Sequence, residues 1–221
     1  DMPYVKRTLE ELVHPTEPAW PMVKTWLEEA EHPVECLPPS ETAGASLESI
    51  QVTTRSPLGA VVLHTGGILV DHRWLRLLGS GHPRLPRTLP GWNFACGMQE
   101  ADTPPSWLLV ADDVLGGFFA LNGGRFAAPG HTVWYFAPDT LEWEDTEKGY
   151  SDFLYWCFTG DLERFYTPYR WHGWQSDVAA LAGDQAFHIA PPLFTAGAEI
   201  QLRSRRAVPL QELFSLHVGV V

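Results

Sequence analysis

Two acid-containing pairs stand where apolar runs of the chain stop: Asp71-His72 after Ile68–Val70, and Asp112-Asp113 after Trp107–Ala111. Carboxylate and imidazole are common metal ligands and common proton-transfer groups, so two such pairs meeting in space would make a metal or acid/base site. Adjacent residues on a strand point to opposite faces, however, so each pair is expected to offer one side chain inward. Solvated strand ends and turn-capping aspartates account for the same residues without any chemistry. Glu142 and Glu144 alternate with Leu141 and Trp143, which puts both carboxylates on one solvated strand face. Trp171 and Trp174, beside Arg170 and His172, are too close in sequence to be buried together on one face. Part of that cluster is expected at a surface or groove.

The sequence holds no GxSxG, P-loop, GxGxxG, HExxH or EF-hand pattern. Gly79-Ser80-Gly81 reads as a turn serine, because turns favour both residue types. Cys36, Cys96 and Cys157 are odd in number and scattered, with no CxxC pair, so neither a disulfide framework nor a zinc site is expected. No catalytic residue, metal or cofactor is assigned. Asp71, His72, Asp112, Asp113, Glu142, Glu144, Trp171 and Trp174 remain as candidate binding residues.

Charge narrows the partners. The net charge is −12, which phosphate backbones would repel, so nucleic-acid binding is not expected. Between Gln51 and Gln99 the balance reverses: Arg55, Arg73, Arg76, Arg84 and Arg87 stand against the single acid Asp71, a net charge of +4. Those arginines either pair with the chain's own acids or form a basic patch for an anionic partner. Aromatics are abundant, with 10 Trp, 11 Phe and 6 Tyr, and they serve either the core or a partner surface, where aromatic anchors concentrate binding energy. Lys6 and Arg7 are followed by no long apolar run, and no stretch approaches the length of a membrane span. The expectation is a cytoplasmic protein without membrane contact.

The elements that would position these residues are mixed. Thr8-Leu9-Glu10-Glu11 fits a capping box opening a short helix that His14-Pro15 stops. A second helix is expected over about 16–30, an extended piece over Val34–Leu37, and another helix over 40–51. Ala60–His64 and Ile68–Val70 flank Thr65-Gly66-Gly67 and read as a hairpin. Trp74–Leu78 is an apolar, strand-like run, and three prolines make 82–93 read as an ordered loop. Residues 97–106 are the best candidate for a mobile loop. Trp107–Ala111 reads as a central strand buried on both faces, followed by strands Phe118–Leu121, Thr132–Phe136 and Leu141–Glu144 joined by short turns. Short turns force neighbours to run antiparallel. After Gly149 the periodicity becomes helical: a helix capped by Ser151, then one carrying Leu162, Phe165, Tyr166 and Tyr169, then one over 174–181. Phe214–Val221 alternates and reads as a terminal strand. The fold class is α+β, one domain over 1–221, with a central mainly antiparallel sheet and packed helices. A helical N-terminal portion covers about 8–51.

Several segments carry a family resemblance: Trp20-Pro21 with Trp26-Leu27, Thr53–Gly59 (TTRSPLG) and Val70–Pro90 (VDHRWLRLLGSGHPRLPRTLP). Ala111–Gly124 (ADDVLGGFFALNGG), Trp134–Trp143 (WYFAPDTLEW) and Tyr150–Leu154 (YSDFL) belong to the same set. Together they resemble the bacterial domain-of-unknown-function family 2625 over nearly the whole chain. More remotely, Trp107 to about Phe158 resembles the SUKH superfamily: an apolar strand ending in acids, a glycine turn, a strand, an aromatic hairpin and a Ser-acid-Phe-Leu helix start. That likeness implies a SUKH-like α+β fold and a binding role rather than catalysis, as in immunity proteins that neutralise bacterial toxins. An acidic surface would then suit a basic, toxin-like protein partner. The alternative class is a metal-dependent enzyme or small-molecule binder that uses the strand-end Asp and His residues.

Overall fold

The computed structural model describes residues 4–13, 16–99 and 103–219. His14-Pro15, part of the 97–106 loop and the last two residues of the expected terminal strand lie outside them. The first segment holds α1 (Leu9–Leu12), α2 (Trp20–Glu28), β1 (Val34–Leu37), α3 (Ala43–Ile50) and α4 (Pro57–His64). Then follow β2 (Gly67–Val70), β3 (Leu75–Leu78), α5 (Leu89–Ala95), β4 (Trp107–Asp113), β5 (Phe118–Asn122), β6 (Thr132–Ala137) and β7 (Glu142–Gly149). The C-terminal part contains α6 (Tyr150–Thr159), α7 (Leu162–Tyr166), α8 (Trp174–Ala179), β8 (Gln185–Ala190), β9 (Ser204–Pro209) and α9 (Leu210–His217). Strands β1 to β7 form one seven-stranded sheet in sequence order, every pair antiparallel, and β8 and β9 form a separate ribbon. The fold is α+β.

Alternation assigns the sheet's two faces. Asp112, Phe118 and Phe136 are successive register partners and share one face, where Phe118 meets Phe214 of α9 with ring centroids 5.1 Å apart. Ala111, Phe119 and Tyr135 share the other, where Phe119 meets Phe153 of α6 at 4.9 Å. Both faces are therefore covered, and β4 is buried at every position. Leu109, Phe119, Phe153 and Leu154 are core residues.

Four local readings are corrected. Residues 60–64 are helical, not a strand: Ser56 caps α4 by accepting the Gly59 amide at 3.1 Å, and Pro57 occupies its first turn. Because α4 is buried nearly all round, its sequence carries no period by which to tell it from a strand. Within 82–93, Thr88 caps α5 and Pro90 fits its first turn. Asn93 then bonds both the N–H and the C=O of Leu109, occupying the stretch of β4 that short β3 leaves unpaired. Helix α6 begins after Gly149, one residue before the expected cap Ser151. The tail from Leu210 to His217 is a helix that buries Leu210, Leu213 and Phe214, an i, i+3, i+4 stripe.

Candidate functional site

The adjacent acids of β4 are both fully buried, because both sheet faces are covered; neither is a solvated strand end. Asp112 is held by two guanidiniums. Arg76 Nε donates to Oδ1 at 2.7 Å, while Arg87 donates through Nη1 to Oδ2 at 2.6 Å and through Nη2 to Oδ1 at 3.0 Å. Burial alone would raise the Asp112 pKa, but the charges of Arg87 and Arg76 hold it below the usual carboxylate range. Asp113 is held by neutral donors: Oδ1 accepts the amides of Leu115 at 2.9 Å and Gly117 at 2.8 Å, and Oδ2 accepts the hydroxyls of Tyr135 at 2.8 Å and Tyr166 at 2.9 Å. Burial outweighs those hydrogen bonds and raises its pKa. The turn that Asp113 caps requires a glycine, since a Cβ at Gly117 would lie 2.2 Å from Asp113 Oδ2 and 2.4 Å from Tyr135 Oη.

Tyr135 connects this buried hub to the surface. Its ring lines two adjoining cavities, of about 190 and 160 Å³, which also share Glu144 and Phe165. The larger is walled by Phe119, Tyr135, Phe153, Trp156 and Phe165, with Glu144, Asp145, Thr146 and Lys148 at its edge. The smaller adds Pro138, Asp139, Tyr166 and Tyr169. A bulge in β7 shapes the edge: the pairing jumps from Trp134↔Asp145 to Val133↔Lys148, and Glu147 takes a left-handed φ of 59°. Asp145 Oδ1 accepts the Glu147 amide at 2.8 Å, and Thr146 donates to the Val133 carbonyl at 2.6 Å. Exposed Phe165 packs against Tyr135 at 5.4 Å and Trp156 at 5.2 Å, making a cage of π-faces. Lys148 already places its ammonium 5.8 Å from the Trp156 ring. Asp139 accepts the Tyr169 hydroxyl, and that phenol's pKa is raised by partial burial and by the Asp139 charge. Glu144 lines the groove, while Glu142 shares its strand face two register pairs further along.

The remaining candidates form a different cluster. Asp71, His72 and Arg73 are three successive residues with positive φ in the β2–β3 turn. Asp71 accepts a hydrogen bond from Arg170, whose guanidinium lies 4.7 Å from Trp74 and 4.3 Å from Trp174. His72 is exposed, edge-on to Trp174 at 5.9 Å. Of the cluster expected to reach a surface in part, Trp171 is only 2% exposed. Its rings meet Trp74 and Phe187, and its Nε1 donates to Asp177 at 2.7 Å, so it serves the core; Trp174 is half-buried. Thus Asp71, His72 and Trp174 converge with Arg170, whereas Asp112 and Asp113 face opposite layers. Among the described residues, no three His, Cys, Asp or Glu side chains gather as metal ligands. Neither Trp171 nor Trp174 lines the groove.

The basic stretch folds onto acids. Arg55 pairs with Glu17, Arg73 and Arg84 pair with Glu35, and Arg76 and Arg87 pair with Asp112. Sequence reasoning missed Tyr135, Trp156 and Phe165 as groove walls. The signal for Phe165 was present: it stands in the helical stripe with Tyr166 and Tyr169, but Tyr166 is buried while Phe165 is 39% exposed.

A seven-stranded antiparallel meander with an acid-edged aromatic groove defines an α+β protein without a recognisable catalytic centre among the described residues. The chain belongs to the family described as "Protein of unknown function DUF2625", which matches residues 9–213. It is 42% identical over 211 residues to the "Putative uncharacterized protein YbfG" of Escherichia coli strain K12, covering 95% of each chain. It is 42% identical over 188 residues to an "Uncharacterized protein" of Haemophilus influenzae, covering 85% of this chain and 82% of the relative. No solved structure matches it. No helix among the described residues is long and apolar enough to cross a membrane.

Proposed function

We propose that this protein is a non-enzymatic binding module that docks a basic protein partner in the groove beside β7. The observation that carries this reading is the joining of seven aromatic walls across the two cavities to a rim of Asp139, Glu144 and Asp145 against the single cation Lys148. A Lys or Arg side chain entering the larger cavity would lie against the faces of Trp156, Tyr135 and Phe165, an attraction worth about 0.5–2 kcal/mol, and would pair with Glu144 or Asp145. The net charge of −12 supports the same partner class, since distributed charge steers a basic protein toward this surface. Except for Phe165, the residues lining the larger cavity fall within Trp107–Phe158, the SUKH-like stretch. An immunity-type role, in which a basic toxin is held and neutralised, is the form of binding that this likeness favours.

The test is a paired capture from the native host, with wild-type protein and a Glu144→Lys/Asp145→Lys double variant as baits. A basic protein retained by the wild type and lost by the variant supports the reading. A partner that stays bound to the double variant, or an acidic partner, overturns it.

A further inference from the structure

The buried charge cluster on the opposite face of the sheet has one donor left over. Arg76 is 2% exposed; its Nε donates to Asp112 at 2.7 Å and its Nη1 to the Gln185 carbonyl at 2.8 Å, but Nη2 is buried without a partner. An unmade hydrogen bond is costly on a neutral buried group and costlier on a charged one. Arg76 also walls a cavity of about 30 Å³ together with Arg73 and Arg84. The cavity joins four separate parts of the chain: the β2–β3 hairpin, the loop before α5, Val114 of the β4–β5 turn, and the stretch from Val178 of α8 to Gly183.

Its charge is unbalanced. Counting Arg87, four guanidiniums share only two ion-pair partners, Glu35 and Asp112, so the pairs hold two more positive than negative charges in a protein whose net charge is −12. The polar side chains lining the cavity are all guanidiniums, which donate hydrogen bonds and never accept them. A water molecule there could accept from them but would find no side-chain acceptor for its own hydrogens. An anion only accepts, so it matches the lining. The volume exceeds the roughly 10–15 Å³ that one water needs and suits a single small ion.

We propose that this cavity binds a small monovalent inorganic anion, chloride under cellular conditions. The ion accepts from Arg76 Nη2 and from Arg73 and Arg84 at the mouth, balances part of the surplus charge, and ties the β2–β3 hairpin to the turn after α8. This site is independent of the groove and of any partner docked there.

Thermal unfolding at constant sodium concentration, with gluconate replaced stepwise by chloride or bromide, tests the proposal. Both halides should raise Tm saturably, by about 5–10 °C at a hundredfold excess over Kd. Arg73 and Arg84 have side chains 39% and 42% exposed, so Arg73→Gln/Arg84→Gln should fold and need at least tenfold more halide for the same rise. Crystals grown in bromide should show an anomalous peak among Arg73, Arg76 and Arg84. A Tm that follows ionic strength equally in halide and gluconate, or a difference that grows linearly without saturating, overturns the proposal. So does a bromide crystal without that peak.

Discussion

Asp112 and Asp113 are neighbours in sequence, equally buried, and treated in opposite ways. Asp112 points into the layer formed by α5, α9 and the β8–β9 ribbon, where two arginines hold it charged. Asp113 points into the layer formed by α6 and α7, where two tyrosines and two amides hold it without a cation among its hydrogen-bond partners. The strand's alternation separates them, and the different donors on each face set different costs of ionisation. The arginine side is a rigid electrostatic joint: Arg76 also reaches the Gln185 carbonyl and Arg87 the Gly183 carbonyl, linking the sheet to the segment that leads into β8. The tyrosine side props up a surface, since Tyr135 is both a ligand of Asp113 and a wall of the groove. One residue step along a covered strand thus divides a structural site from a candidate binding site.

The largest expected effect lies on the arginine side. Asp112→Asn leaves Arg76 and Arg87 buried without a counter-charge and should cost about 3–5 kcal/mol in denaturant unfolding. A loss below about 1 kcal/mol would show that the joint is solvated. Next comes Gly117→Ala, whose new methyl collides with Asp113 and Tyr135; overpacking of this kind should cost about 1–3 kcal/mol and displace the Tyr135 ring. An unchanged midpoint would contradict the tight packing of that hub.

The third comparison is in pH. The folded pKa of Asp112 is below its ordinary 3.8, so its stabilisation is complete above that value and is lost as pH falls through the folded pKa. The folded pKa of Asp113 is above 3.8, so its favourable state is complete below that value and is lost as pH rises through the folded pKa. Asp113→Asn keeps the acceptor for both amides and removes the ionisation. Relative to wild type it should gain stability between pH 4 and 8, by about 1.4 kcal/mol for each unit by which the native pKa is raised. A relative stability that falls over this range would reverse the assignment of the two acids. The smallest effect on stability is expected at the rim: Glu142→Lys/Glu144→Lys should leave unfolding within about 0.5 kcal/mol of wild type while slowing association with a basic partner at low salt. Destabilisation beyond 1 kcal/mol would mean that β7 depends on those carboxylates for its fold.

The sheet was legible because β4–β5 and β6–β7 are joined by short turns and the strands carry apolar runs or alternation, as in Glu142–Glu144, although β5 and β6 are joined by the longer connection 123–131. The α4 helix was not, because burial on all sides removes the polar face that reveals a helical period; Ser56-Pro57 was its one local sign. The β8–β9 ribbon escaped notice although each strand has six residues, because Ser204-Arg205-Arg206 lacks the apolar alternation of a half-buried strand. Among candidate residues, Glu144 was correctly placed on an exposed strand face. The groove itself was hidden, since its walls come from β5, β6, α6 and α7, and only tertiary packing brings Phe119, Tyr135, Trp156 and Phe165 together. The burial of Trp171 could not be anticipated from its spacing to Trp174, because both rings pack against Trp74, which lies about a hundred residues away in the sequence.

The most direct test of the groove's role is a ¹H–¹⁵N NMR titration of the wild-type protein with Nα-acetyl-arginine amide, alongside the neutral isostere Nα-acetyl-citrulline amide. Saturable shifts from the arginine compound are expected at the Trp156 indole N–H and the amides of Asp145–Lys148 and Phe165, weakened in Glu144→Gln/Asp145→Asn and much smaller with citrulline. Equal responses to the two compounds, or shifts that avoid these positions, would contradict that role.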